Sequence, residues 1–132
     1  MPRPASHPGQ VLVADDDPVN AELLQDLLES RGWRVDVAGD GAAALARMAK
    51  HHYDLLLLDL HMPKVDGVDL LRIAQEGNVP RPGWVVVVTA DLMYGIREDL
   101  ANMGADALLS KPINISALLN ILAEAELAAA EA

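Results

Sequence analysis

Cysteine is absent from the chain, and so is phenylalanine. The first absence excludes disulfides and thiolate zinc sites. The second, with aromatics at only 3%, leaves a core of Leu, Val, Ile, Ala and Met. Basic residues are scarce: 10 Lys and Arg stand against 20 Asp and Glu, for a formal charge of -10. Phosphate backbones demand a basic surface, which argues against a nucleic acid as direct partner. No apolar run approaches the ~20 residues of a membrane span. The Pro-rich start, Met1 to Gln10, also lacks the apolar stretch of a signal peptide. The expectation is a cytoplasmic protein with no membrane insertion. Residues 1–9 are expected to form a disordered tail, and residues 10–130 a single domain.

What is present is a regular alternation of strand and helix signals in 132 residues that are 52% hydrophobic. Val11 to Ala14 reads as a short buried strand. Asp17-Pro18 opens a helix, with Asp suited to the N-cap and Pro to the first turn. Leu23, Leu24, Leu27 and Leu28 lay an apolar stripe along it, and Gly32 closes it. Trp33 to Ala38 alternates apolar and polar residues, as a strand with one wetter face does, for instance at a sheet edge. A helix follows Asp40-Gly41, and Asp54 to Asp59 is the next strand. Asp66-Gly67 starts a third helix, and Gly77 to Gly83 is a loop. Trp84 to Thr89, with four consecutive Val, is the most strand-like segment. Asp91 to Met103 is a helix closed by Gly104, Ala107 to Ser110 a short strand, and Asn114 to about Ala130 the final helix. Five strands alternating with five helices predict an α/β fold with a parallel sheet covered on both faces. A flavodoxin-like doubly wound order, 2-1-3-4-5, sets the first and third strands side by side at the switch point.

That order brings Asp15, Asp16, Asp59, Thr89 and Lys111 to the carboxyl rim of the sheet, where ligands bind in such folds. Asp15 and Asp16 offer the hard oxygens that Mg²⁺ takes. Asp59 is either a third ligand or a nucleophile that forms an acyl phosphate. The Thr89 hydroxyl can donate to a phosphoryl oxygen, and the Lys111 ammonium can pair with one. A cis bond between Lys111 and Pro112 is one way to aim that ammonium into the site. Two unit charges 4 Å apart interact by roughly 4 kcal/mol at an effective dielectric of 20, so clustered carboxylates call for a cation.

Four segments carry a resemblance that is more specific: Val-Leu-Val-Ala-Asp-Asp-Asp-Pro at 11–18, Asp-Leu-His-Met-Pro-Lys-Val-Asp-Gly at 59–67, Val-Val-Val-Val-Thr-Ala at 85–90, and Gly-Ala-Asp-Ala-Leu-Leu-Ser-Lys-Pro at 104–112. In this order they resemble the receiver domain of a two-component response regulator, over about residues 10 to 125. The resemblance implies that Asp59 accepts a phosphoryl group from phosphohistidine on a sensor histidine kinase or a histidine phosphotransfer protein. It implies Mg²⁺ held by Asp16 and Asp59, by Asp15 through water, and by the backbone carbonyl of His61. Thr89 would then move toward the phosphoryl group and Lys111 would pair with it. The receiver would catalyse its own phosphorylation and dephosphorylation, and acetyl phosphate would substitute for the kinase. A downstream protein target would read the surface of the fourth helix, fifth strand and fifth helix.

One position departs from the family pattern. An aromatic often stands three residues before the conserved Lys, and here Leu108 stands there, so coupling between Thr89 and the output surface is expected to be weakened. The chain is expected to carry no output domain and to act as a stand-alone regulator, as a relay component, or as a receiver excised from a longer protein. A monomer or weak dimer is expected. Two alternatives compete: a small phosphatase of the haloacid dehalogenase type using Asp15, and a pseudo-receiver that only binds protein. The bland roles are assigned elsewhere. Asp17 is a helix cap and Asp66 a turn residue. His51 and His52 are solvated loop residues, and the Met residues belong to the core.

Overall fold

The computed structural model describes residues 9–60, 67–77, 79–89 and 96–131. Ten elements alternate along them: β1 (Gln10–Ala14), α1 (Pro18–Ser30), β2 (Arg34–Ala38), α2 (Gly41–Lys50), β3 (Leu55–Asp59), α3 (Gly67–Gln75), β4 (Trp84–Thr89), α4 (Ile96–Asn102), β5 (Ala107–Ser110) and α5 (Ile115–Glu131). The strands form one sheet in the order β2-β1-β3-β4-β5, and every pairing is parallel. The expected doubly wound order is therefore observed, with β2 at an edge.

Side chains alternate across a strand, and this period divides the core in two. Leu12, Leu56, Leu58, Val85 and Val87 face one side, where α2, α3 and α4 contribute Met48, Leu70, Leu71 and Leu100. Val11, Val13, Leu55, Leu57, Val86 and Val88 face the other, where α1 and α5 contribute Leu24, Leu28, Leu118 and Leu122. Each fully buried Leu or Val contributes about 1.5–3 kcal/mol relative to exposure. Central strands buried on both faces explain the uninterrupted apolar runs of β3 and β4.

The helix ends follow local chemistry. Asp17 is the N-cap of α1 and accepts the Val19 N–H, with Pro18 in the first turn. Asp40 caps α2 in the same way, through the Ala43 N–H. At the far end of α1, Gly32 takes φ 93°. Its N–H donates to the Glu29 carbonyl, and the Trp33 N–H to that of Leu28, the double closure of a Schellman motif. That use of the Trp33 N–H explains why β2 starts at Arg34, one residue later than expected. Asp54 is likewise just outside β3, its carboxylate accepting the Gln10 N–H at 3.0 Å.

The leucine stripe of α1 is narrower than expected. Leu24 and Leu28 are buried and Leu27 partly so, whereas Leu23 is 53% exposed. Ala21, Leu24 and Leu28 share the core-facing side, and Leu23 sits about 100° away from Leu24 around the helix. The start of the expected fourth helix, Asp91 to Gly95, lies outside the described residues, as do residues 1–8 of the expected tail.

Candidate functional site

Four strand ends converge on one rim. Asp59 is the last residue of β3, and Asp15 is the first beyond β1. Because Ala14 pairs with Leu58, the two carboxylates sit on the next rung of neighbouring strands. Thr89 ends β4 opposite Ser110, and the Lys111 N–H donates to the Thr89 carbonyl at 3.0 Å. Sheet register alone thus carries four of the five sequence-derived side chains to one place.

Asp15, Asp16 and Asp59 offer one carboxylate oxygen each, all within 4.8 Å of one another. Asp15 and Asp59 are buried and Thr89 is fully so, while Asp16 is exposed. The cluster therefore has a buried floor and one open carboxylate. Lys111 Nζ donates to Asp59 Oδ2 at 2.9 Å. Partial burial pulls the Lys111 pKa down, but the hydrogen bond and charge of Asp59, with the charges of Asp15 and Asp16 behind it, outweigh that and hold it above its ordinary value. The ammonium is a resident counter-ion for the acids. The bond from Lys111 to Pro112 is cis.

Each oxygen of Asp15 accepts one hydrogen bond. Its Oδ1 accepts the Asp17 N–H at 2.9 Å, and its Oδ2 accepts from Asn20 Nδ2. Asn20 is not among the site residues expected from the sequence. A signal existed: it is the third residue of a helix opened by Asp17-Pro18, the position from which capping-box side chains reach back. Asp17 itself caps α1, as its sequence context implies. His61, expected to supply a backbone carbonyl, and Asp66, expected in a turn, lie outside the described residues. His51 and His52 are exposed, and Met48 is in the core.

Leu108 is half-buried on β5. With Leu100, Ala101, Ala105 and Ala107 it lines an open groove of about 180 Å³ between α4 and β5.

Residues 11–123 match the family model for the response regulator receiver domain. The chain belongs to this family. The receiver is 40% identical over 114 residues to the sensor protein EvgS of Escherichia coli O157:H7, covering 86% of this chain and 9% of that protein. It is 32% identical over 105 residues to the polar-differentiation response regulator DivK of Brucella ovis, covering 80% of this chain and 85% of DivK. The chain thus spans about a tenth of EvgS and most of DivK. Among solved structures, the receiver domain of the sensor histidine kinase PA1611 from Pseudomonas aeruginosa superposes with a TM-score of 0.75 at 28% identity, over 89% of this chain and 96% of that one. That structure has a magnesium ion coordinated in its active-site cleft. The hard, all-carboxylate donor set of this receiver fits the same class of ion. No helix among the described residues is long and apolar enough to cross a membrane.

Proposed function

We propose that Asp59 is the phosphoacceptor of this receiver, and that its donor is a phosphohistidine on a sensor histidine kinase or histidine phosphotransfer protein. The observation that carries the proposal is the Lys111–Asp59 contact at the floor of the acid cluster. Of the three clustered acids, Asp59 combines burial with a direct ammonium partner, and that ammonium can pass to the oxygens of an incoming group. Carboxylate ligands for Mg²⁺ would come from Asp16 and Asp59, with Asp15 acting through water and His61 offering its backbone carbonyl. When bound, Mg²⁺ offsets the negative charge of the carboxylates and phosphoryl oxygens.

The chain's own residues then have defined tasks. An Asp59 oxygen attacks phosphorus in line. The P–N bond of the donor breaks, its electron pair returns to the imidazole nitrogen, and an acyl phosphate forms on Asp59. Lys111 pairs with one phosphoryl oxygen, and the Thr89 hydroxyl donates to another. Since positioning and charge do most of the work in such transfers, the receiver catalyses its own phosphorylation, and acetyl phosphate substitutes for the protein donor.

Incubation with acetyl phosphate and Mg²⁺, followed by intact mass measurement, tests this. Wild type is expected to gain the mass of one phosphoryl group, and Asp59→Asn to gain none. A covalent phosphoryl group mapped to Asp15 would overturn the assignment in favour of phosphatase-like chemistry.

Output runs through protein contacts, and Leu108 makes its coupling to Thr89 weak. With beryllofluoride, NMR shifts are expected around Asp59 and Thr89 but small along α5. Large shifts at both Leu108 and α5 would refute weak coupling.

A further inference from the structure

We infer that Asn20 is a positioning residue that holds Asp15 in the orientation the metal cluster requires. The inference rests on the Mg²⁺ site proposed above and goes beyond its ligands. Asp15 is buried, and its two oxygens accept from two different donors, the Asp17 N–H at 2.9 Å and the Asn20 Nδ2 at 2.5 Å. Both donors belong to the start of α1, one at its N-cap and one two residues beyond Pro18. A single hydrogen bond leaves a carboxylate free to turn about its Cβ–Cγ bond. Two bonds from one rigid turn, one on each oxygen, fix its plane. A carboxylate has about four acceptor positions, so each oxygen keeps capacity for the ion or its water.

The side-chain type suits this task. An amide donates without carrying charge. A Lys at this position would cancel part of the negative charge that attracts a cation, and an Asp would add a fourth acid to three already within 4.8 Å. Nor does α1 depend on Asn20 for its start, because Asp17 already accepts the Val19 N–H. Ala is a better helix former than Asn, so its replacement leaves the helix intact. What is lost is the orientation of Asp15.

Outer residues that orient metal ligands typically change affinity by about 10–100-fold when removed. Mg²⁺ demands near-ideal octahedral geometry, whereas Ca²⁺ accepts 6–8 oxygens in flexible arrangements. Losing the orientation of Asp15 therefore penalises Mg²⁺ more than Ca²⁺, which a general weakening of the fold does not do. The test is calorimetric titration of the whole chain with Mg²⁺ and separately with Ca²⁺, for wild type, Asn20→Ala and Asn20→Leu, with melting temperatures taken in EDTA. Both variants are expected to weaken Mg²⁺ binding about 10-fold, to weaken Ca²⁺ binding less, and to melt within a few degrees of wild type. Mg²⁺ affinity within about twofold of wild type, or equal losses for both ions accompanied by a lower melting temperature, would overturn the inference. Absence of Mg²⁺ binding in wild type is a separate result: it removes the metal site itself, and the role of Asn20 with it.

Discussion

Lys111 and Asp59, 52 residues apart in sequence, meet at 2.9 Å and tie the end of β5 to the end of β3 across β4. The Asp59 side chain is 2% exposed and that of Lys111 30%, so this is a largely buried ion pair in which one partner still reaches water.

Replacing Lys111 by Met tests that pair. Removing one partner of a buried pair costs about 3–5 kcal/mol, and the partial exposure of Lys111 brings this down towards about 1–3 kcal/mol. A urea melt without metal is expected to show a loss of that order, and acetyl phosphate labelling is expected to fall with it. Unchanged stability would show that the cluster tolerates three acids without their cation.

Asp16 lends itself to the opposite experiment. It is the exposed member of the acid cluster, so its replacement by Ala removes repulsion without opening a cavity. In EDTA, Asp16→Ala is expected to be more stable than wild type by a few tenths to about 1 kcal/mol, the screened range for exposed charges. Mg²⁺ binding is expected to disappear. A thermal melt showing clear destabilisation would count against repulsion as the main term.

Glu126 anchors the last helix. Arg31 Nε donates to its Oε2 at 2.8 Å, and Arg31 Nη2 to its Oε1. The indole N–H of Trp33 donates to the same carboxylate at 3.0 Å. The hydrogen bond that Arg31 donates to Glu126, resisted by partial burial and aided by the carboxylate's charge, holds the guanidinium above its ordinary pKa. Glu126→Ala leaves a buried indole without this acceptor, at a cost of about 1–3 kcal/mol. Urea denaturation followed by tryptophan fluorescence measures it. Glu126→Gln keeps an acceptor for Trp33 and is expected to recover part of the loss.

Tyr53 sets a limit at high pH. Burial, then the hydrogen bond it donates to Asp36 at 2.6 Å and the charge of Asp36, push its pKa well above the ordinary value of 10.0. A group whose folded pKa is raised contributes stability that is fully present below its unfolded pKa and is lost as pH rises through the folded value. Wild-type stability from this group is therefore flat below about pH 10 and falls above it. Tyr53→Phe, which cannot ionise, is expected to lose that part of the decline. Urea midpoints between pH 8 and 11.5 check it, and parallel curves for the two proteins would contradict the assignment.

Local rules were legible where local physics decides. Asp17, Pro18 and Gly32 mark the ends of α1 because capping needs only residues a few positions apart. The polar alternation in β2 was legible because an edge strand packs less fully than β3 or β4. Leu23 departs from the expected stripe because helical spacing defines a stripe without stating how wide a stripe the sheet will cover. The Arg31–Glu126 clamp spans 95 residues, and nothing near either residue announces the other.

The sequence by itself determined the order of the elements and the carboxylate, hydroxyl and ammonium at the strand ends, since period, caps and apolar runs are properties of neighbouring residues. Only the tertiary structure decided which groups meet. It paired Lys111 with Asp59, and it gave Asp15 to Asn20 and Glu126 to both Arg31 and Trp33. The physical reason is that a charge or an amide carries no record of its partner. Strand register and helix packing set the distance, and distance selects the bond.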